Sequence, residues 1–165
     1  MAIRGRTVLA VVPARSGSRR CPGKNFRHYR GKRLIDWATE AAAASRYIDT
    51  VKLSLDADRP PELCTDDASS EDVLRYHQAQ APHDWIVLLQ PTSPNRTTED
   101  IDACIERAQL GDGCISTFHG KTNGAVYVAT ADWLAEHDFS HMGLMKYEME
   151  ESHSLDIDHL EDFLK

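Results

Sequence analysis

The chain has no apolar run long enough to span a bilayer, which excludes a helical membrane protein. Its opening, M-A-I-R-G-R-T, shows no signal-peptide core, so a cytoplasmic protein is expected. Its four cysteines show no C-x-x-C spacing, which argues against a zinc knuckle or a disulfide frame and for reduced thiols. The chain also lacks G-x-x-x-x-G-K-[ST] and G-x-G-x-x-G, so neither the P-loop nor the dinucleotide fingerprint applies. Most telling is where carboxylates are missing. Met1 to Arg33 carries ten Lys/Arg and no Asp or Glu, whereas the rest carries nine Lys/Arg and all 26 acids. A net charge of −7 speaks against non-specific nucleic-acid or membrane-surface binding by the whole molecule. An acidic chain that keeps one segment free of carboxylates is suited to hold an anion there.

That segment is V-P-A-R-S-G-S-R-R-C-P-G-K-N, Val12 to Asn25. It follows Val8-Leu9-Ala10-Val11-Val12, a run with the length and β-branching of a buried strand. Gly17, Gly23, Ser16 and Ser18 let backbone N–H groups approach a ligand. Arg15, Arg19, Arg20 and Lys24 supply cations suited to phosphate oxygens. The bland alternative is a basic surface loop, and the lopsided charge distribution weighs against it.

At 165 residues a single compact domain, 1–165, is expected. Further along, the pattern predicts a helix over Leu34 to Arg46 and a strand over Thr50 to Leu55. A helix capped by Ser69 or Ser70 should run to about Gln80. Asp84 to Leu89 reads as a central strand, followed by a helix from Thr97 or Thr98. Strands are expected at Cys114 to Phe118, Asn123 to Ala129 and Lys146 to Met149. A short helix is expected at Ala131 to His137, and a helical end after Asp158. Alternating strands and helices define α/β architecture: three α/β/α layers, Rossmann-like, around a largely parallel sheet. Ligands in such sheets sit at the carboxyl ends of the strands.

Five stretches carry a family resemblance. Val12 to Asn25 resembles the nucleotide-binding signature of the N-acylneuraminate cytidylyltransferases, or CMP-sialic acid synthetases. L-L-Q-P-T-S-P-N-R-T, Leu88 to Thr97, resembles their second signature. Asp66-Asp67-Ala68-Ser69-Ser70, Asn123 to Val128 and Ser154 to Asp158 resemble three more, in the same order. The resemblance implies a nucleotidyltransferase fold and transfer of CMP from CTP to the anomeric hydroxyl of a sialic acid or related acidic 2-keto sugar, releasing pyrophosphate. It implies nucleotide contacts from Ala14, Arg15, Ser16, Gly17, Ser18, Lys24, Asn25 and Ser70, with Arg15 and Lys24 catalytic. It places Gln90, Arg96, Lys121 and Asn123 at the acceptor sugar. It makes Asp156 and Asp158 the catalytic carboxylates for Mg2+. Their own spacing agrees, because D-I-D in extended backbone puts both carboxylates on one face and oxygen ligands suit Mg2+. The competing reading has one Asp, for example Asp158, capping the last helix.

The chain is shorter than that family's members in two internal places. One follows Ser54-Leu55-Asp56, and the other lies between Thr117 and Asn123, where relatives carry a dimerising arm. A monomer or weak homodimer is therefore expected. Lys121 replaces an Arg, and Asn95 stands where Leu is usual. An inactive nucleotide-binding remnant and an enzyme for a smaller ulosonic acid remain as alternatives. His77 and His83 are read as needing no special role.

Overall fold

The computed structural model describes residues 3, 5–17 and 21–165. Expectations for Ser18, Arg19 and Arg20 fall outside those residues.

The first strand, β1 (Val8–Pro13), is followed by a two-residue hairpin, β2 (His28–Tyr29) and β3 (Lys32–Arg33), that the sequence pattern did not reveal. Then come α1 (Leu34–Ala43), β4 (Thr50–Ser54), α2 (Ser70–Gln80), β5 (Trp85–Leu88) and α3 (Thr98–Ala108). The chain continues through β6 (Gly113–Phe118), β7 (Lys121–Thr130), α4 (Ala131–Glu136) and β8 (Met145–Glu148). It ends in a 3-10 helix, Leu160–Leu164, where a helical end after Asp158 was expected. The carboxylate that caps this turn is Asp162, which accepts the Asp158 and His159 N–H groups at 2.9 Å each. Asp158 itself is thus not the cap.

The main sheet runs in the order β4-β1-β5-β7-β6-β8. β1 pairs in parallel with β4 and β5, and β6 with β8, whereas β7 is antiparallel to both its neighbours. Five of the six strands therefore share one direction, as a largely parallel sheet requires. Alternation along β1 shows why the layers form. Val8, Ala10 and Val12 face one side with Ala38 and Ala42 of α1 and Ile101, Cys104 and Ile105 of α3. Leu9 and Val11 face the other with Leu74 of α2 and Trp133 and Leu134 of α4. Both faces are covered, so the strand reads as a continuous apolar run.

Capping follows the sequence. Ser69 accepts the Asp72 N–H, which makes Ser69 the cap and Ser70 the first helical residue. Thr97 and Asp100 exchange bonds in a capping box at 3.0 and 3.1 Å. Among the described residues no helix is long and apolar enough to cross a membrane.

Candidate active site

The carboxyl ends of β1, β4 and β5 open on a cleft of 210 Å3. Its lining includes Arg15, Gly17, Lys24, Asn25, Ser70 and Gln90, all singled out by sequence.

The loop after β1 is held from below. Ala14 donates its N–H to the Ser54 carbonyl at 2.8 Å, continuing the β1–β4 ladder past the strand end. Its side chain is fully buried. Ala14 thus belongs to the floor, and its side chain does not reach the cleft, contrary to expectation. Asp56, just past β4, accepts both the N–H and the hydroxyl of Ser16. These bonds hold the Asp56 carboxyl below the usual carboxylate range, against a smaller opposing effect of burial. Ser16 is therefore spent on the loop's own anchoring. Asn25 likewise donates to the Arg15 carbonyl at 3.1 Å. With the backbone fixed, the Arg15 side chain stays about one-third exposed and ion-paired to Asp66. Lys24 is mostly buried, with its ammonium 3.9 Å from Asp158.

This last distance joins the two ends of the chain. The 154–158 stretch returns along the same edge of the sheet, and Ile157 donates to the Thr92 carbonyl at 2.8 Å. Ile157 is fully buried against Tyr29 and Leu34, which turns its neighbours Asp156 and Asp158 the other way. Burial, then the Asp158 charge, pushes the Asp156 carboxyl upward, while the Thr92 hydroxyl and Lys24 oppose it. A carboxylate whose ionisation a neighbouring carboxylate disfavours suits a cation. No group of three His, Cys, Asp or Glu side chains forms a complete metal cage among the described residues. The pair fits an ion that takes its remaining oxygens from phosphate and water.

Asp156 also lines a second cavity, of 410 Å3, with Phe118, Lys121, Asn123, Tyr127 and Ser154. The β6–β7 hairpin builds it. A register shift between Ile115 and Thr117 and the positive φ of Gly124, 78°, open the ladder there. The Ser116 hydroxyl accepts the Val126 N–H at 2.9 Å and donates to Asn123 Oδ1 at 2.6 Å. Asn123 Nδ2 then reaches Ser154 Oγ at 3.3 Å. The connection between β6 and β7 is a tight turn, with His119 and Gly120 at positive φ. Glu148 seals it by accepting the His119 and Gly120 N–H groups at 2.6 and 3.1 Å.

Arg96 departs from expectation. It lines neither the cleft nor the Asn123 cavity. It is 4% exposed and donates to the Gln90 and Ala125 carbonyls at 3.0 and 2.7 Å. Burial pulls its guanidinium down to about 10, opposed by Asp100. Arg96 is a clamp between the β5 loop and β7.

Among the cleft residues that lacked a sequence assignment are Arg59 and Thr92. Arg59, only 8% exposed, lines the cleft and donates to Leu63 and Ser54 carbonyls at 3.0 and 3.2 Å. Thr92 lines it beside Gln90 and Pro91. A cation next to two prolines was the available signal for Arg59. Nothing marked Thr92 apart from its neighbours.

The layers and the sheet order are those of the Rossmann-like α/β/α nucleotidyltransferase fold. A family model described as cytidylyltransferase matches residues 9–64. The chain is 34% identical over 120 residues to the CMP-N,N'-diacetyllegionaminic acid synthase of Legionella pneumophila, covering 60% of this chain and 52% of that protein. It is 26% identical over 212 positions to the N-acylneuraminate cytidylyltransferase of Streptococcus agalactiae serotype III, covering 94% and 51%. Those 212 positions exceed the chain's own 165 residues, so that relative carries internal stretches that this chain lacks. The chain spans about half the length of these curated relatives. In fold it is similar to CMP:2-keto-3-deoxy-manno-octonic acid synthetase solved with CTP, at a TM-score of 0.71, 14% identity and 93% coverage of both chains. The chain is similar in sequence to cytidylyltransferases, the N-acylneuraminate cytidylyltransferases among them.

Proposed function

We propose that this chain forms a single domain that transfers CMP from CTP to the anomeric hydroxyl of a sialic acid or a related acidic 2-keto sugar. The supporting observation is the 3.9 Å approach of Lys24 to Asp158, which brings the cationic opening loop and the D-I-D stretch to one edge. The triphosphate would lie over Arg15 to Lys24, where cations and backbone N–H groups offset its charge. The base end of the cleft would be walled by Ser70 and Gln90. The acceptor would occupy the Asn123 cavity, with Lys121 at its rim offering a cation to the sugar carboxylate. Asp156 stands between the two cavities, with Asp158 beside it.

In the reaction the sugar oxygen bonds to the α-phosphorus as the bond from that phosphorus to the pyrophosphate oxygen breaks. The hydroxyl proton is released. The chain's work is placement and charge neutralisation. Asp156 and Asp158 would hold Mg2+, which when bound supplies charge stabilisation at phosphate oxygens. Lys24 would neutralise charge on the departing pyrophosphate.

The test is incubation with CTP, Mg2+ and a panel of sialic and ulosonic acids. Pyrophosphate release with one of them is expected. CTP binding with no release from any acid would overturn the enzymatic reading in favour of an inactive nucleotide-binding relative.

A further inference from the structure

His77 sits on the cleft's far wall helix, α2, and is 5% exposed. Its Nε2 lies 2.7 Å from the Ser54 hydroxyl, and this bond is buried. Ser54 is itself fully buried and ends β4. Its carbonyl accepts two donors: the Ala14 N–H at 2.8 Å and the Arg59 guanidinium at 3.2 Å. One residue therefore gathers three parts of the cleft. Ala14 starts the cationic loop, Arg59 carries the lining from Arg59 to Thr65, and α2 presents Ser69 and Ser70 at its amino end.

We propose that His77 is a positioning residue for nucleotide binding, acting through Ser54 to hold α2 and the Arg59 segment in register with the loop after β1. The proposal rests on the nucleotide occupying that cleft. A buried serine hydroxyl needs a partner, and an imidazole two turns along α2 fixes the helix by a directional bond that apolar packing does not supply. The surroundings favour the neutral ring. Burial, then Lys52 of β4 and Arg59, disfavour its protonation, and Asp58 opposes them. The Tyr76 ring meets it edge-on at 5.2 Å. The facing segments of β1 and β5 hold no titratable side chain, and Asp132 and Glu136 of α4 are not among the groups acting on it. Protonation would add a cation beside Lys52 and Arg59. The hold should therefore weaken as pH falls below the ordinary histidine value of about 6.5.

The test compares His77→Leu and His77→Gln with the parent protein, titrating CTP between pH 7.5 and 5.5. His77→Leu should raise the CTP Kd at least ~5-fold at pH 7.5, with turnover at saturating CTP within about two-fold. His77→Gln keeps a hydrogen-bonding group and does not titrate. It should bind CTP like the parent at pH 7.5 and lose the part of the acid weakening that the parent shows beyond CTP's own titration. A Leu variant with parental affinity, or a Gln variant with the parental pH profile, overturns the proposal. If His77→Leu does not fold, the Gln comparison decides. Hydrogen exchange at the Ala14 amide supplies a readout free of nucleotide. Its protection factor should fall on acidification less in either folded variant than in the parent, and in His77→Leu be lower than in the parent at pH 7.5. If the parent binds no CTP, the nucleotide reading fails, and exchange at Ala14 identical in all three proteins still sinks the role given to His77.

Discussion

The loops that leave β1 and β5 begin side by side, on paired parallel strands, and each carries an arginine. Their anchoring is opposite. The first is tied by outside groups, Asp56 on Ser16 and Asn25 on the Arg15 carbonyl, so Arg15 stays partly exposed over the cleft. The second is tied by its own arginine, which donates from one guanidinium nitrogen to both the Gln90 and Ala125 carbonyls. A cation at the carboxyl edge of a sheet is thus free for a ligand only where something else satisfies the backbone around it.

The comparison can be broken by substitution. Asp156→Ala, beyond both loops, should give the largest effect: about a 1,000-fold loss of metal-dependent CMP-sugar formation with an unchanged circular dichroism spectrum. Parental turnover would remove the carboxylate pair from the chemistry. Arg96→Ala should next cost ~3 kcal/mol of stability, a fall of roughly 10 °C in thermal midpoint, because two buried carbonyls lose their donor. Arg15→Ala should do the reverse. CTP binding should weaken about 10-fold, while stability moves by no more than ~0.5 kcal/mol, since its pair with Asp66 is about one-third exposed on both sides. A destabilised Arg15 variant and an unaffected Arg96 variant would invert the contrast.

The smallest effect is in acid. The Asp56 carboxyl is lowered in the folded protein, so its contribution is present above the unfolded value of about 3.9. It is lost as pH falls through the lower folded value. Urea midpoints between pH 5 and 2.5 should therefore drop more steeply in the parent than in Asp56→Asn. Parallel curves would show that Ser16 is not held by charge.

The layers were legible because burial on both faces wrote itself into β1 and β5 as apolar runs, and because Ser69 and Thr97 announce helix starts. The hairpin at His28 to Arg33 was not legible, since two-residue strands have no periodicity to read. The cationic loop of Arg15 and Lys24 could be picked out by composition, and the aspartates at 156 and 158 by the family resemblance. Arg96 could not be told from them. Whether a guanidinium faces solvent or a carbonyl depends on Ala125, which lies 29 residues away in sequence and belongs to β7. Ala14, a short apolar residue within a signature, looked like a contact and proved to be floor. His77 looked idle because nothing local marks its bond to Ser54.

β7 alone runs against its neighbours, and this sets where the molecule can change. Its beginning, not its end, arrives at the ligand edge, directly after the tight turn sealed by Glu148. Residues added at or removed from that turn are delivered to the rim of the Asn123 cavity and leave the frame of β1, β4 and β5 untouched. The shape of the Asn123 cavity can therefore drift by insertion and loss while the cleft over Arg15 and Lys24 stays fixed.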